Sequence, residues 1–196
     1  MTRSSAATVD LILLGMVFEQ PRSAYEMQKL VEYRNLSRWV PISAPTVYKN
    51  VLRLAERGYL KSETVREGKM PEKAVYSITE SGRSHFYALM RRNAAAEVNV
   101  IFAFNAVIAN LGKVPPDKAR ALLLDIRQSI AASRAFIEQT LPERREVTRP
   151  GTAIMEQQSG VLSYLLEWLD GYRAGLGLGE DAPLSPPEGE GATESE

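Results

Sequence analysis

Apolar side chains recur every third or fourth residue in the first third of the chain, then every second residue for a short stretch, then again at helical spacing to about position 175. Leu11, Leu14, Val17 and Phe18 share one stripe and predict a helix over residues 10–19, stopped by Gln20-Pro21. Ser23 has the character of an N-cap. With Glu26 at the third helical position, and Met27, Leu30 and Val31 at helical spacing, it predicts a second helix from about 24 to 31. Residues 34–42, with Trp39 and Pro41, carry no period and read as a connector. Ser43 opens a third helix: its hydroxyl can cap, Pro45 is tolerated in the first turn, and the chain reaches Gly58 after Leu54. Val47, Val51 and Leu54 form its buried stripe, leaving Thr46, Lys49, Asn50 and Arg53 on other faces.

After Gly58 the period drops to two over residues 59–66 and 74–78, with a Gly- and Pro-containing turn over 68–72, which predicts a β-hairpin. Thr79 then caps a fourth helix running through Glu80, Arg83, Phe86 and Met90. Beyond it the pattern predicts an apolar helix over 98–111, a turn at 112–116, an amphipathic helix from 117 to about 140 ended by Pro142, a charged linker over 144–151, and a last helix over 153–174. Residues 176–196 carry six acids and no bases among Gly, Pro and Ser, a composition that predicts disorder. The fold class expected is mainly α with a small β-hairpin wing. It divides into residues 1–92, a winged helix-turn-helix; 93–175, a helical dimerisation domain; and 176–196, an acidic tail that solubilises the chain or competes with nucleic acid for its basic surface.

The charges change this picture. The 24 basic and 24 acidic residues cancel overall, but residues 1–92 hold 15 Lys+Arg against 9 Asp+Glu while residues 93–196 hold 9 against 15. A basic front concentrates a polyanion, and an acidic back turns it away. The chain has no cysteine and one histidine, His85, so thiolate chemistry is excluded and metal chemistry has almost no ligands. It also has no Gly-rich phosphate loop and no paired acids at metal spacing, so an enzyme is not expected and no cofactor is implied. The longest apolar stretch near the N-terminus, residues 11–18, is too short to span a bilayer, and a cytoplasmic location is expected.

Three helices followed by a hairpin make a winged helix-turn-helix, whose third helix enters the major groove while the hairpin tracks the backbone. Thr46, Lys49, Asn50 and Arg53 are residue types that donate to base edges and phosphates, although each alone would also suit a solvated helix face. Tyr48, at the edge of that face, either bonds a phosphate or packs beside the second helix. Arg66, Lys69 and Lys73 are the phosphate candidates of the wing, where Glu72 opposes them. A winged helix can also dock a protein through the same surface, the alternative to DNA binding. Trp39, Phe102, Phe104, Tyr164 and Trp168 are either core residues or the lining of a pocket for an aromatic or apolar effector.

Several segments together resemble a known family. Pro21-Arg22-Ser23-Ala24-Tyr25-Glu26, Ser43-Ala44-Pro45-Thr46-Val47-Tyr48, Val51-Leu52-Arg53-Leu54, Gly58-Tyr59-Leu60 and Tyr76-Ser77-Ile78-Thr79-Glu80-Ser81-Gly82-Arg83 look like the PadR family of transcriptional regulators over residues 8–92. The later helices are similar in arrangement to that family's longer, Vir-type C-terminal domain. The resemblance implies a homodimer joined through its C-terminal helices, bound to a pseudo-palindromic operator, most often a repressor relieved by an effector. Tyr25 and Tyr48 match that family's aromatic positions, Ser43 and Thr46 its helix start and Arg53 the basic position of its recognition helix; these residues, and Ser23 beside them, are expected to contact DNA. The sequence departs from the family at Ala24, where glycine is common, at Lys49, where proline is common, and at Met70-Pro71-Glu72-Lys73-Ala74, which replaces a basic run in the wing.

Overall fold

The computed structural model describes residues 3–66, 72–143 and 149–176. Its chain divides into two compact units, Met1–Asn99 and Val100–Glu196.

In the first unit, helix α1 (Arg3–Glu19) precedes a two-residue strand β1 (Arg22–Ser23) and helix α2 (Ala24–Tyr33). A 3-10 turn (Leu36–Arg38) follows, then a second one (Ala44–Thr46) that runs directly into α3 (Val47–Glu56). Strands β2 (Leu60–Val65) and β3 (Lys73–Ile78) make the hairpin, and α4 (Glu80–Ala94) closes the unit. Helix α1 is longer than the expected 10–19 and buries Val9, Leu13, Leu14 and Val17 on one side. The capping box at Ser23 forms as its sequence requires: the Glu26 backbone N–H donates to the Ser23 hydroxyl (3.2 Å), and the Ser23 N–H donates to the Glu26 carboxylate (2.7 Å). Met27 and Val31 of α2 and Val47, Val51 and Leu54 of α3 meet the α1 stripe in one core. The stretch read as a connector contributes too, because Leu36, Val40 and Ile42 are buried in that core.

The sheet has the order β1-β3-β2 and is antiparallel throughout. The hairpin register pairs Leu60 with Ile78 and Ser62 with Tyr76. Strand β1 adds Arg22 opposite Tyr76 and Ser23 opposite Val75. Two residues are too few to show a period, which is why the sequence pattern gave two strands and not three. At the exit from α3, Gly58 takes φ 74, a conformation that suits a residue without Cβ. Thr79 holds the junction by donating its hydroxyl to the Gly58 carbonyl (2.7 Å) and accepting from the Gly82 N–H (3.0 Å). Gly82 lies so near the chain that a Cβ there would sit 2.1 Å from the Tyr59 carbonyl oxygen.

The second unit corrects one expectation. Residues 98–111 do not form a helix: only Asn105–Ile108 (α5) is helical, followed by a 3-10 turn at Leu111–Lys113. Val98 and Val100 are β-branched, as is Ile101, and no N-cap precedes them, so little favours helix there. Helix α6 (Pro116–Glu143) and helix α7 (Arg149–Gly175) pack through Leu123, Ile126, Ile130, Leu165 and Leu169. A paired contact crosses them: the Arg127 guanidinium donates to both carboxylate oxygens of Asp170, at 2.8 and 3.2 Å. Helix α7 starts at Arg149, so the expected linker over 144–151 is helical in its last three residues. Its first five residues, the hairpin turn at 67–71 and the tail beyond Leu176 lie outside the described residues.

Candidate DNA interface

Burying Val47, Val51 and Leu54 turns the opposite side of α3 outward. At about 100° per residue, Lys49 and Glu56 face directly away from that stripe, Leu52 and Arg53 flank them at about 50° to either side, and Tyr48 lies further round on the Leu52 side. Lys49 is exposed and, among the described residues, has no partner. Tyr48 is 60% exposed. Its phenol lies close enough to Tyr76 of the wing to add to the burial that pushes the Tyr76 hydroxyl above its ordinary value. Tyr48 therefore marks the wing side of the helix.

The start of α3 differs from the expected cap. Ser43 accepts the Thr46 N–H at its carbonyl (3.0 Å), but its hydroxyl accepts from no backbone N–H of the following turn. Its hydroxyl donates to the Thr46 hydroxyl (3.2 Å), which donates to the Ser43 carbonyl (2.8 Å). Thr46, which precedes α3, makes no side-chain cap to it either, so the 3-10 turn with Pro45 leads into the helix without a side-chain cap. The Asn50 amide donates to the Thr46 carbonyl (2.8 Å), which leaves its oxygen to accept. Ser43 and Thr46 are exposed, and Asn50 is half-buried.

Two expected contact residues are turned inward. Ser23 is buried, and its hydroxyl serves the capping box of α2. Arg53 reaches across to α1 and pairs with Asp10, whose side chain is 8% exposed against 33% for Arg53. Burial pushes the Asp10 carboxyl above its ordinary value, while Arg53, Arg57 and His85 pull it back towards the ionised form. The sequence did carry a signal for this: Asp10 stands in register with Leu13, Leu14 and Val17, and an acid on an apolar stripe needs a base. Read as a helix start, it was missed.

Beside α3, Tyr25 on the first turn of α2 is 66% exposed, with the Lys29 ammonium 5.7 Å from its ring centre. Lys73 at the start of β3 pairs with Glu26 at 3.5 Å, tying the wing to the α2 cap. The Ser23 N–H and hydroxyl, and then Lys73, hold the Glu26 carboxyl below the usual carboxylate range. Arg66 is exposed at the end of β2, and Lys69 lies outside the described residues.

The effector candidates separate. In the second unit Phe102 and Phe104 stack at 5.2 Å, Phe104 and Trp168 at 6.3 Å, and Trp168 and Tyr172 at 5.7 Å. Tyr172 is an addition to the expected set, signalled by its spacing of four from Trp168. Trp39 packs against the core of the first unit. Tyr164 is 64% exposed and makes no ring contact in this stack. Among the described residues no group of His, Asp or Glu is arranged to hold a metal ion, and no helix is long and apolar enough to cross a membrane.

Three helices, the third with an open polar side, and a hairpin beside it define a winged helix-turn-helix. Residues 13–88 match the family model described as the transcriptional regulator PadR-like family. No curated protein sequence matches the chain. Among solved structures it is similar to Bacillus subtilis PadR in complex with operator DNA, at 16% identity and TM-score 0.70 over 85% of this chain and 97% of that one. It is similar to the same Bacillus protein in complex with p-coumaric acid, at 13% identity and TM-score 0.70 over 89% and 97%. It is also similar to the Vibrio cholerae virulence activator AphA, at 16% identity and TM-score 0.66 over 87% and 98%. At such identities the likeness defines the fold.

Proposed function

We propose that the protein is a cytoplasmic, sequence-specific DNA-binding transcriptional regulator, a repressor acting as a homodimer on a pseudo-palindromic operator. The observation that carries this reading is the outward side of α3, where Lys49 and the Thr46 and Tyr48 hydroxyls stand on a helix pinned from behind by buried Val and Leu. Tyr48, Lys49, Thr46 and the free oxygen of Asn50 face the groove. Tyr25, Ser43 and Arg66 line the phosphates. Ser23 and Arg53 are positioning residues: one fixes the α2 cap, the other sets how α3 lies on α1.

Two reading helices one DNA turn apart require two-fold symmetry. The second unit offers apolar surface for it in Val100 and Ile101, 66% and 86% exposed, and in Leu124 and Val161, each 42% exposed. The stack of Phe102, Phe104, Trp168 and Tyr172 suits a flat aromatic effector, and the p-coumaric acid bound to the similar Bacillus protein supports that ligand class. The test is fluorescence anisotropy with the duplex upstream of the protein's own gene. Binding that survives competitor DNA is expected, and failure to bind specifically even at low salt overturns the reading.

A further inference from the structure

One residue on the outward side of α3 does not fit a surface made only to hold phosphates. Leu52 is 37% exposed on a helix whose own core positions, Val47, Val51 and Leu54, are completely buried. It is therefore an apolar side chain placed among groups that face water. By helical spacing it follows Tyr48 by four and Lys49 by three, one turn further along the same side, and precedes Glu56 by four. Glu56 is exposed and repels a sugar-phosphate backbone, so the helix presents its first two turns to DNA rather than its C-terminal end. Leu52, in the second of those turns, is the last outward residue before that acid.

The chemistry of the groove narrows what Leu52 can meet there. Every donor and acceptor on the base edges would be left unsatisfied against an isobutyl group, at a cost in desolvation. The largest apolar feature of the major groove is the C5 methyl of thymine. We infer that Leu52 is a specificity-determining residue that packs on the C5 methyl of one thymine in each half-site, with the Tyr48 ring bordering the same contact. This rests on the DNA-binding reading and adds to it a base identity at a defined depth along the helix. Lys49, a turn earlier on the same side, supplies phosphate attraction or a guanine contact and carries no preference for a methyl group.

The experiment uses the full-length protein and a pool of randomised duplexes. The most enriched duplex is resynthesised with each thymine replaced in turn by deoxyuridine, which removes the methyl and leaves pairing intact. Affinity is then read for the unaltered chain and for Leu52→Ala. At one symmetry-related pair of thymines, uracil should weaken binding by the unaltered protein about fourfold per half-site, the factor for one methyl group removed from water. Leu52→Ala should bind the thymine duplex more weakly by a comparable factor and no longer distinguish thymine from uracil there. Equal affinity of the unaltered protein for every uracil duplex overturns the inference, as does a Leu52→Ala protein that still prefers thymine at that position. Absence of any enriched sequence overturns the DNA-binding reading itself and the inference with it. The uracil arm needs no variant, so it tests the idea even if Leu52→Ala were poorly folded.

Discussion

Replacing Arg53 by Met separates a residue that touches DNA from one that orients the helix that does. Removing one partner of a buried ion pair costs about 3–5 kcal/mol, because the other charge is left without compensation. Asp10 is well buried here, but a third of the Arg53 side chain is exposed and screened by solvent, which brings the expected loss to roughly 2 kcal/mol. The pH dependence gives the sign. Burial already raises the Asp10 carboxyl, and Arg53 is the strongest group opposing that shift, so without Arg53 the folded value rises further. A carboxyl raised on folding holds more protons in the native state. Stability is then greatest below its unfolded value near 3.8 and falls as pH rises through the folded value, so the variant should suffer less at about pH 4 than at about pH 7. The chain has two tryptophans, and Trp39 packs on the first core while Trp168 stands in the second unit. In a Trp168→Phe background, Trp39 fluorescence during urea unfolding therefore reports the first unit. Adding Asp10→Ala to Arg53→Met should recover most of the stability and the DNA affinity, since no stranded charge remains. An Arg53→Met protein with an unchanged urea midpoint but lost specific binding, unrescued by Asp10→Ala, would refute the positioning role.

Three further outcomes are expected. Lys49→Ala should weaken binding to the enriched duplex and make log affinity depend less steeply on log salt, as measured by anisotropy over a salt series; unchanged affinity and slope would place Lys49 away from the DNA. Gly82→Ala drives a methyl to 2.1 Å from the Tyr59 carbonyl oxygen and 2.9 Å from Ile78 Cγ1, and should destabilise the first unit by about 3 kcal/mol in the Trp39 assay, whereas Gly15→Ala, whose methyl would meet only the Phe86 ring at 3.6 Å, should not share that clash penalty. Glu26 is held below its unfolded value near 4.5, so its contribution is present above that pH and is lost as pH falls through the folded value. Glu26→Gln should flatten this part of the acid side of the stability curve and lower neutral-pH stability by about 0.5–1 kcal/mol; a parallel acid limb would count against the capping box.

The order of elements in the first unit was legible because each boundary is written locally. Ser23 with Glu26, Gly58, and Thr79 ahead of Glu80 mark ends that hydrogen bonds in the structure use. The buried stripe of α3 and the exposure of Lys49 followed from spacing alone, whereas spacing left Tyr48 between the two faces and the structure exposes it. What spacing could not supply was the partner of a long side chain. Arg53 lies at the edge of the outward side, and only the crossing of α1 over α3 brings Asp10, 43 positions away, within its reach. Lys73 is similar: it looks like a wing cation in the sequence, yet the sheet register carries it to Glu26. The segment over 98–111 failed for a different reason. Its apolar residues suit a helix by count, but β-branched side chains without a cap leave residues 98–102 without regular structure, with Val98 and Ile101 largely in solvent.

The position of β2 on the outside of the sheet has a consequence for handling the protein. With β3 bonded on both sides, β2 presents its other row of peptide groups outward. An open row of that kind invites a strand from another molecule unless something discourages it. Lys61 and Glu63, paired at 3.0 Å and both well exposed, put alternate charges along the rim. Swapping both for valine would remove little from the fold and much from its colloidal behaviour, since a neutral β-branched rim favours ribbon-like self-association in concentrated stocks.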